Sequence, residues 1–297
     1  MLQSFSHDAL KFYIRWFPIA KGKIRLLSRI WKWCTPPPYS REAQVEGTPI
    51  RMRCDLTKFV QRHIYFFGHF EQADCANWMK AARYANTIFD VGANVGLYSL
   101  LAASVNPTAT IYAFEPTASI QTEFETNLRL NTIQTVQIES FAVGATSASG
   151  FLHRSVGPTG DNEGTNYVTA GKLRDTDTEV RMVSLDDFCL QRGIEQIDLL
   201  KMDIEGGEYD ALVGAQGLLG RKAVKCLFIE LLERVAVPQG GHTTVEVKQI
   251  LHNFGYTIYK VEHGKAVQVP VEKVHTGNGD NVIAVADKAS LEQLLHS

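Results

Sequence analysis

Apolar residues recur along this chain with two different periods. Runs at Thr87–Val91, Thr110–Phe114, 135–142, Ile197–Met202 and 224–232 are short, mostly apolar and bounded by polar turn residues, which predicts strands buried on both faces. Helical spacing fills the gaps between them: a helix over 95–105, one from Thr117 with Ile120, Phe124 and Leu128 on a single face, and one over 206–219. Ser184 opens a short helix that Gly193 ends, and 243–254 is a helix with a capping box. Residues 57–84 hold two further helical patterns, and 256–261 and 281–286 complete the strands. Strands alternating with helices predict a doubly wound, Rossmann-like α/β sheet, with a ligand crevice at the carboxyl ends of its parallel strands.

The chemistry concentrates at the first of those strand ends. Thr87–Val91 runs into Gly92-Ala93-Asn94-Val95-Gly96, and the next strand ends at Glu115, 23 residues after Gly92. A cofactor laid over strand ends needs a turn without side chains, and an acid on the following strand accepts hydrogen bonds from ribose hydroxyls about 20 residues on. The turn lacks the Gly-x-Gly-x-x-Gly of a pyrophosphate binder, and Asp90 would repel phosphate while suiting an ammonium group. S-adenosylmethionine has that ammonium and no phosphate. A second acidic group, Asp203, Glu205 and Glu208, follows the strand Ile197–Met202, and Glu230 lies near the end of the next strand. Asp203, Glu205 and Glu230 are the candidate catalytic carboxylates, with Asp203 nearest the reacting region; Glu205 and Glu208 have the alternative role of favouring a helix N-terminus. His63, His69, His153 and His242 are alternative bases, and sequence does not choose among them. No tight ligand spacing indicates a metal.

Composition sets the frame. A 297-residue chain with 45% hydrophobic residues can bury a large core, and a net charge of −2 gives no overall footprint for nucleic acid. The five cysteines form no Cys-x-x-Cys pair, which points to free thiols in a reducing cytosol. Residues 1–34 are different: Lys11, Arg15, Lys21, Lys23, Arg25, Arg29 and Lys32 stand against a single acid, Asp8, among many aromatic residues. That stretch reads either as helices packing on the domain or a second subunit, or as a peripheral membrane contact. A Pro-rich linker closes it, giving an extension at 1–38, a helical cover of the sheet at 39–86 and the main domain at 87–297. Residues 144–179 are a long polar connection, holding short strands or a lid.

The motifs Phe-Asp-Val-Gly-Ala-Asn-Val-Gly96, Ala-Phe-Glu-Pro116, Asn-Leu-Arg-Leu-Asn131, Ser-Leu-Asp-Asp-Phe188 and Leu-Lys-Met-Asp-Ile-Glu-Gly-Gly-Glu208 together resemble the FkbM-type family of S-adenosylmethionine-dependent methyltransferases. The resemblance implies a class I methyltransferase sheet, mostly parallel with a last antiparallel strand. It places the methionine half of the cofactor at Asp90, Gly92, Ala93, Asn94 and Gly96, its ribose at Glu115 and its adenine near Phe141 and Ala142. It further implies O-methylation of a small-molecule or lipid-linked hydroxyl, on a saccharide, glycolipid or other natural product. The alternative is a non-catalytic cofactor-binding or membrane-associated scaffold.

Overall fold

The computed structural model describes residues 11–15, 40–153, 156–157, 160–161, 166–169, 171, 174–233, 241–262, 265–275, 280–290 and 292. The chain order is a hairpin of β1 (Ser40–Gln44) and β2 (Arg51–Asp55), helices α1 (Phe59–Phe67) and α2 (Gln72–Ala82), then β3 (Thr87–Val91), α3 (Leu97–Val105), β4 (Thr110–Phe114), α4 (Ala118–Leu130) and β5 (Val136–Glu139). Next come β6 (Ala142–Val143), β7 (Ala148–His153), the two-residue strands β8 and β9, β10 (Tyr167–Thr169), β11 (Thr178–Val183) and α5 (Leu185–Arg192). The chain continues with β12 (Ile197–Met202), α6 (Glu208–Val213), α7 (Gln216–Gly220), β13 (Val224–Leu231), α8 (Thr244–Asn253), β14 (Thr257–Glu262), β15 (Lys265–Gln268) and β16 (Asp280–Val285).

The central sheet has the order β15-β14-β16-β13-β12-β3-β4-β5. From β13 to β5 every pairing is parallel, and β16 enters antiparallel between β13 and β14. This is the doubly wound sheet that the resemblance implies, with its last strand antiparallel and one added edge strand, β15. Strand order reverses beside β3, so the crevice opens where β3 and β12 end side by side. Apolar residues on both faces bury the sheet: one core layer gathers Ile88, Leu100, Ile111 and Phe124, the other Phe89, Leu200, Leu227 and Leu251.

Local departures from the sequence reading have physical causes. The run 135–142 is two strands, because β6 leaves the central sheet and pairs in parallel with β11 in a four-stranded sheet of order β10-β7-β11-β6. The helix expected over 206–219 breaks in two at Gly214, where a Cβ would sit 2.1 Å from the Gly144 carbonyl oxygen. The cover at 39–86 opens with the β1–β2 hairpin rather than a helix. Residues 11–15 pack on α1: Ile14 is buried, Arg15 donates to the carbonyls of Tyr65 and Phe66, and Lys11 lies 3.9 Å from the centre of the Tyr65 ring. The rest of the basic extension lies outside the described residues. Cys54, Cys75, Cys189 and Cys226 are buried free thiols, each pushed up to about 12 by burial. Among the described residues, no helix is long and apolar enough to cross a membrane.

Candidate active site

The turn after β3 is held by its neighbours. The Gly92 and Ala93 amides donate to the Phe114 carbonyl at 3.1 and 3.0 Å, and the Asp203 amide donates to the Val91 carbonyl at 3.1 Å. Gly92 has φ +81°, and a Cβ there would lie 1.9 Å from the Asp203 carbonyl oxygen, so the two strand ends meet only because position 92 is bare. Gly96, at φ +89°, lets the start of α3 sit against the Phe124 ring. Asn94 takes the left-handed conformation that asparagine tolerates, and its Oδ1 accepts from the Val95 amide at 2.8 Å.

A cavity of about 330 Å³ opens over this turn. It is lined by Asp90, Gly92, Ala93, Asn94, Glu115, Phe141, Ala142, Asp203, Glu205 and Glu230, so the structure brings together every candidate cofactor-binding and catalytic carboxylate residue except Gly96, which supports the turn from beneath. Asp90 is buried, and one of its oxygens accepts from Ser99 Oγ at 2.6 Å while the other, Oδ1, is buried without a hydrogen-bond partner. Burial raises the Asp90 pKa, and an ammonium group would supply the missing donor and the countercharge. Glu115 ends β4, with Oε1 accepting from the Thr117 amide at 2.8 Å and Oε2 from the Asn94 amide at 3.2 Å, which fixes its carboxylate at the cavity wall. The guanidinium of Arg181 covers the Phe141 ring at 4.6 Å. An unpartnered buried carboxylate oxygen, a bare turn and a fixed acid together fit the ammonium, backbone and ribose of S-adenosylmethionine.

The second half of the cavity is a charge cluster that sequence reasoning did not assemble. Lys201, buried in β12, donates to Asp203 Oδ2 at 2.7 Å and lies 4.3 Å from the centre of the Tyr98 ring. Tyr98 donates to Glu71 Oε2 at 2.7 Å. Burial alone would lower the Lys201 pKa, but Asp203, Asp90 and Glu71 outweigh it and hold the ammonium protonated. Burial likewise opposes ionisation of Asp203, yet Lys201 and a hydrogen bond from Glu230 keep it below the usual carboxylate range. Glu230 goes the other way, pushed well up by burial and by the Asp203 carboxylate, which favours its protonated form beside an ionised Asp203. One signal for Lys201 was present in the sequence: a lysine in an otherwise apolar strand is rarely buried without partners. Glu71 and Tyr98 join the site only through folding, and nothing in their local sequence marks them.

Glu208 does not reach the cavity and instead holds the turn before α6, accepting from the Ile204 and Gly206 amides at 3.1 and 3.3 Å. Burial raises its pKa to about 7. A carboxyl whose folded pKa lies above its unfolded value favours folding below the unfolded pKa and loses that contribution as pH rises through the folded value. Stability should therefore fall by roughly 3 kcal/mol from this group between about pH 4.5 and 7. Glu208→Gln keeps both acceptor bonds and should remove that slope, which urea unfolding midpoints at pH 5 and 7.5 will show. Equal slopes in both proteins would refute the assignment.

Among the described residues, none of the four candidate histidines lines the cavity. His63 stacks on Phe67 at 4.4 Å, and burial, helped by His69, lowers its pKa to about 4. His153 is buried against Asp177 at 2.8 Å, and His242 stacks on Tyr209.

The chain belongs to the FkbM methyltransferases: the model of the methyltransferase FkbM domain matches residues 90–258. S-adenosylmethionine is the cofactor of that family. Among curated relatives, the AMB antimetabolite synthetase AmbE of Pseudomonas aeruginosa is 31% identical over 161 residues, covering 43% of this chain and 7% of the relative. The 31-O-demethyl-FK506 methyltransferase FkbM of Streptomyces tacrolimicus is 30% identical over 158 residues, covering 45% of this chain and 61% of the relative. The chain thus spans less than two thirds of the length of either protein. Among solved structures, a precorrin-6y C5,15-methyltransferase of Geobacter metallireducens aligns over 73% of this chain and 89% of its own, with 12% identity and a TM-score of 0.40.

Proposed function

We propose that this protein is an S-adenosylmethionine-dependent O-methyltransferase whose acceptor is a hydroxyl on a saccharide, glycolipid or other small natural product. The observation that carries the reading is the Lys201–Asp203 ion pair, 2.7 Å long, at the strand end that meets the Gly92 turn, in a cavity that Glu230 also lines. The name of the Streptomyces relative, an O-demethyl-compound methyltransferase, supports an oxygen acceptor. When bound, S-adenosylmethionine supplies an electrophilic methyl group on its sulfonium. The chain's own work is to align an acceptor oxygen about 3 Å from that methyl in a site that excludes water.

Asp203 orients the acceptor hydroxyl through a hydrogen bond and receives its proton as the new O–C bond makes that oxygen acidic. Held ionised by Lys201, it is a weak base, so orientation and late proton capture are its role rather than prior deprotonation. Glu230 stays protonated and fixes the carboxylate. Phe141, Ala142 and Glu205 line the cavity, where the first two would border the adenine and the third the acceptor.

The test is methyl transfer followed by mass spectrometry, with the wild-type chain and Asp203→Ala, over a panel of saccharides, glycolipids and polyketide alcohols. We expect a product one methyl heavier with the wild type. Asp203→Ala should turn over about 10² to 10⁴-fold more slowly while its affinity for S-adenosylmethionine stays within about threefold. Undiminished turnover by Asp203→Ala would remove Asp203 from the mechanism.

A further inference from the structure

One wall of the cavity comes from outside the matched family domain. Phe59 opens α1, Phe70 lies between α1 and α2, and Glu71 is the N-cap of α2; all three line the same cavity as Asp203 and Glu230 but precede residue 90, where the family match begins. Phe59 is 49% exposed, so core packing does not account for its place at the rim. Its ring meets Phe70 edge-on at 6.5 Å, and Phe70 in turn meets His63 at 5.7 Å, so the two phenylalanines form an aromatic wall. Directly beside that wall stands the Glu71 carboxylate, whose Oε2 is engaged by Tyr98, leaving acceptor capacity on Oε1.

An aromatic face next to carboxylate acceptors is complementary to one chemical class in particular. A pyranose ring has an apolar C–H face that packs on an aromatic ring and an edge of hydroxyls that donate to carboxylates. A lone aliphatic alcohol uses the apolar wall and leaves Glu71 Oε1 without a donor, a poorer match for a half-buried acid. We propose that Phe59, Phe70 and Glu71 form a subsite for one glycosyl ring of the acceptor, its C–H face on the Phe59 ring and its hydroxyls on Glu71, with the hydroxyl to be methylated turned toward Asp203. The subsite deepens the methyltransferase reading: the cover at 39–86 selects the acceptor, and the domain that follows binds the cofactor.

Saturation-transfer NMR on the full chain, with and without S-adenosylhomocysteine, tests this with methyl β-D-glucopyranoside, methyl α-D-mannopyranoside and methyl α-L-rhamnopyranoside as probes and cyclohexanol as the single-hydroxyl control. At least one glycoside should receive saturation at its ring protons, and cyclohexanol should receive none. Phe59→Ala, a change at an exposed position that leaves the core intact, should weaken that glycoside at least fivefold with S-adenosylmethionine affinity by calorimetry unchanged. Glu71→Gln should weaken the glycoside more than it weakens S-adenosylmethionine. Binding of none of the glycosides, equal binding of cyclohexanol, or glycoside affinity untouched by both variants would overturn the subsite. Equal losses for glycoside and cofactor in Glu71→Gln would overturn it too, assigning Glu71 to the cofactor. Glycoside binding by a chain that ignores S-adenosylmethionine would sink the methyltransferase reading and leave the subsite standing.

Discussion

Replacing Lys201 by methionine should cost about 3 to 5 kcal/mol of stability, the range for removing one partner of a buried ion pair. The lysine side chain is 8% exposed and faces Asp203, Asp90 and Glu71, so methionine would leave a set of carboxylates around an apolar side chain with no cation among the described lining residues. Those carboxyls would then regain protons, and the sign of the pH dependence follows. In the variant their folded pKa values rise, so stability present at low pH is lost as pH rises, and the deficit against wild type should be larger at pH 8 than at pH 5. At roughly 2 to 4 °C per kcal/mol the melting temperature should drop by roughly 6 to 20 °C at pH 8. Arg129→Met is the matched control, because its pair with Glu125 is exposed on both sides, and it should move the melting temperature by less than about 2 °C. A Lys201→Met protein as stable as wild type at pH 8 would show that the cluster is not organised around the lysine.

Gly92→Ala should be similarly severe for a different reason. At φ +81° an alanine pays a conformational cost of about 1 to 2 kcal/mol, and its Cβ would have to displace the Asp203 backbone oxygen that lies 1.9 Å away. Since Asp203 is tied by its amide to Val91 and by its side chain to Lys201, the displacement would spread to the ends of β3 and β12. The expected outcome is a loss of about 4 kcal/mol or more, with S-adenosylmethionine affinity reduced over about 100-fold in whatever remains folded. Gly193→Ala separates the two contributions: φ there is +64°, but nothing lies within 4 Å of the added Cβ, so only the conformational cost of about 1 kcal/mol should appear. Equal unfolding midpoints for the two variants would mean that the contact with Asp203 is unimportant.

Much of this fold was legible in the sequence because parallel strands buried on both faces leave uninterrupted apolar runs. Thr87–Val91, Thr110–Phe114 and Ile197–Met202 have the observed bounds for that reason. The β1–β2 hairpin was not, since Glu42, Arg51 and Arg53 dominate its outer face and only Ala43, Met52 and Cys54 are buried on the inner one, where Arg41 is exposed. At the site, the turn from Asp90 to Gly96 and the acid at Glu115 are local in sequence and could be read from spacing. The Glu71–Tyr98–Lys201–Asp203 cluster joins α2, α3 and the end of β12, and its partners are fixed by the sheet order rather than by any motif. Spacing also gave no means of ranking the histidines, which the fold places outside the cavity.

The most direct test of the central claim is isothermal titration of the full chain with S-adenosylmethionine, with NAD as the control and Glu115→Ala in parallel. The site predicts binding of S-adenosylmethionine alone, weakened about tenfold to 100-fold by the substitution as the acceptor for the ribose hydroxyls, held in place by the Asn94 and Thr117 amides, is lost. Binding of NAD in preference, or no binding of S-adenosylmethionine by well-folded protein, would contradict the account and favour a scaffold that keeps the fold without its chemistry.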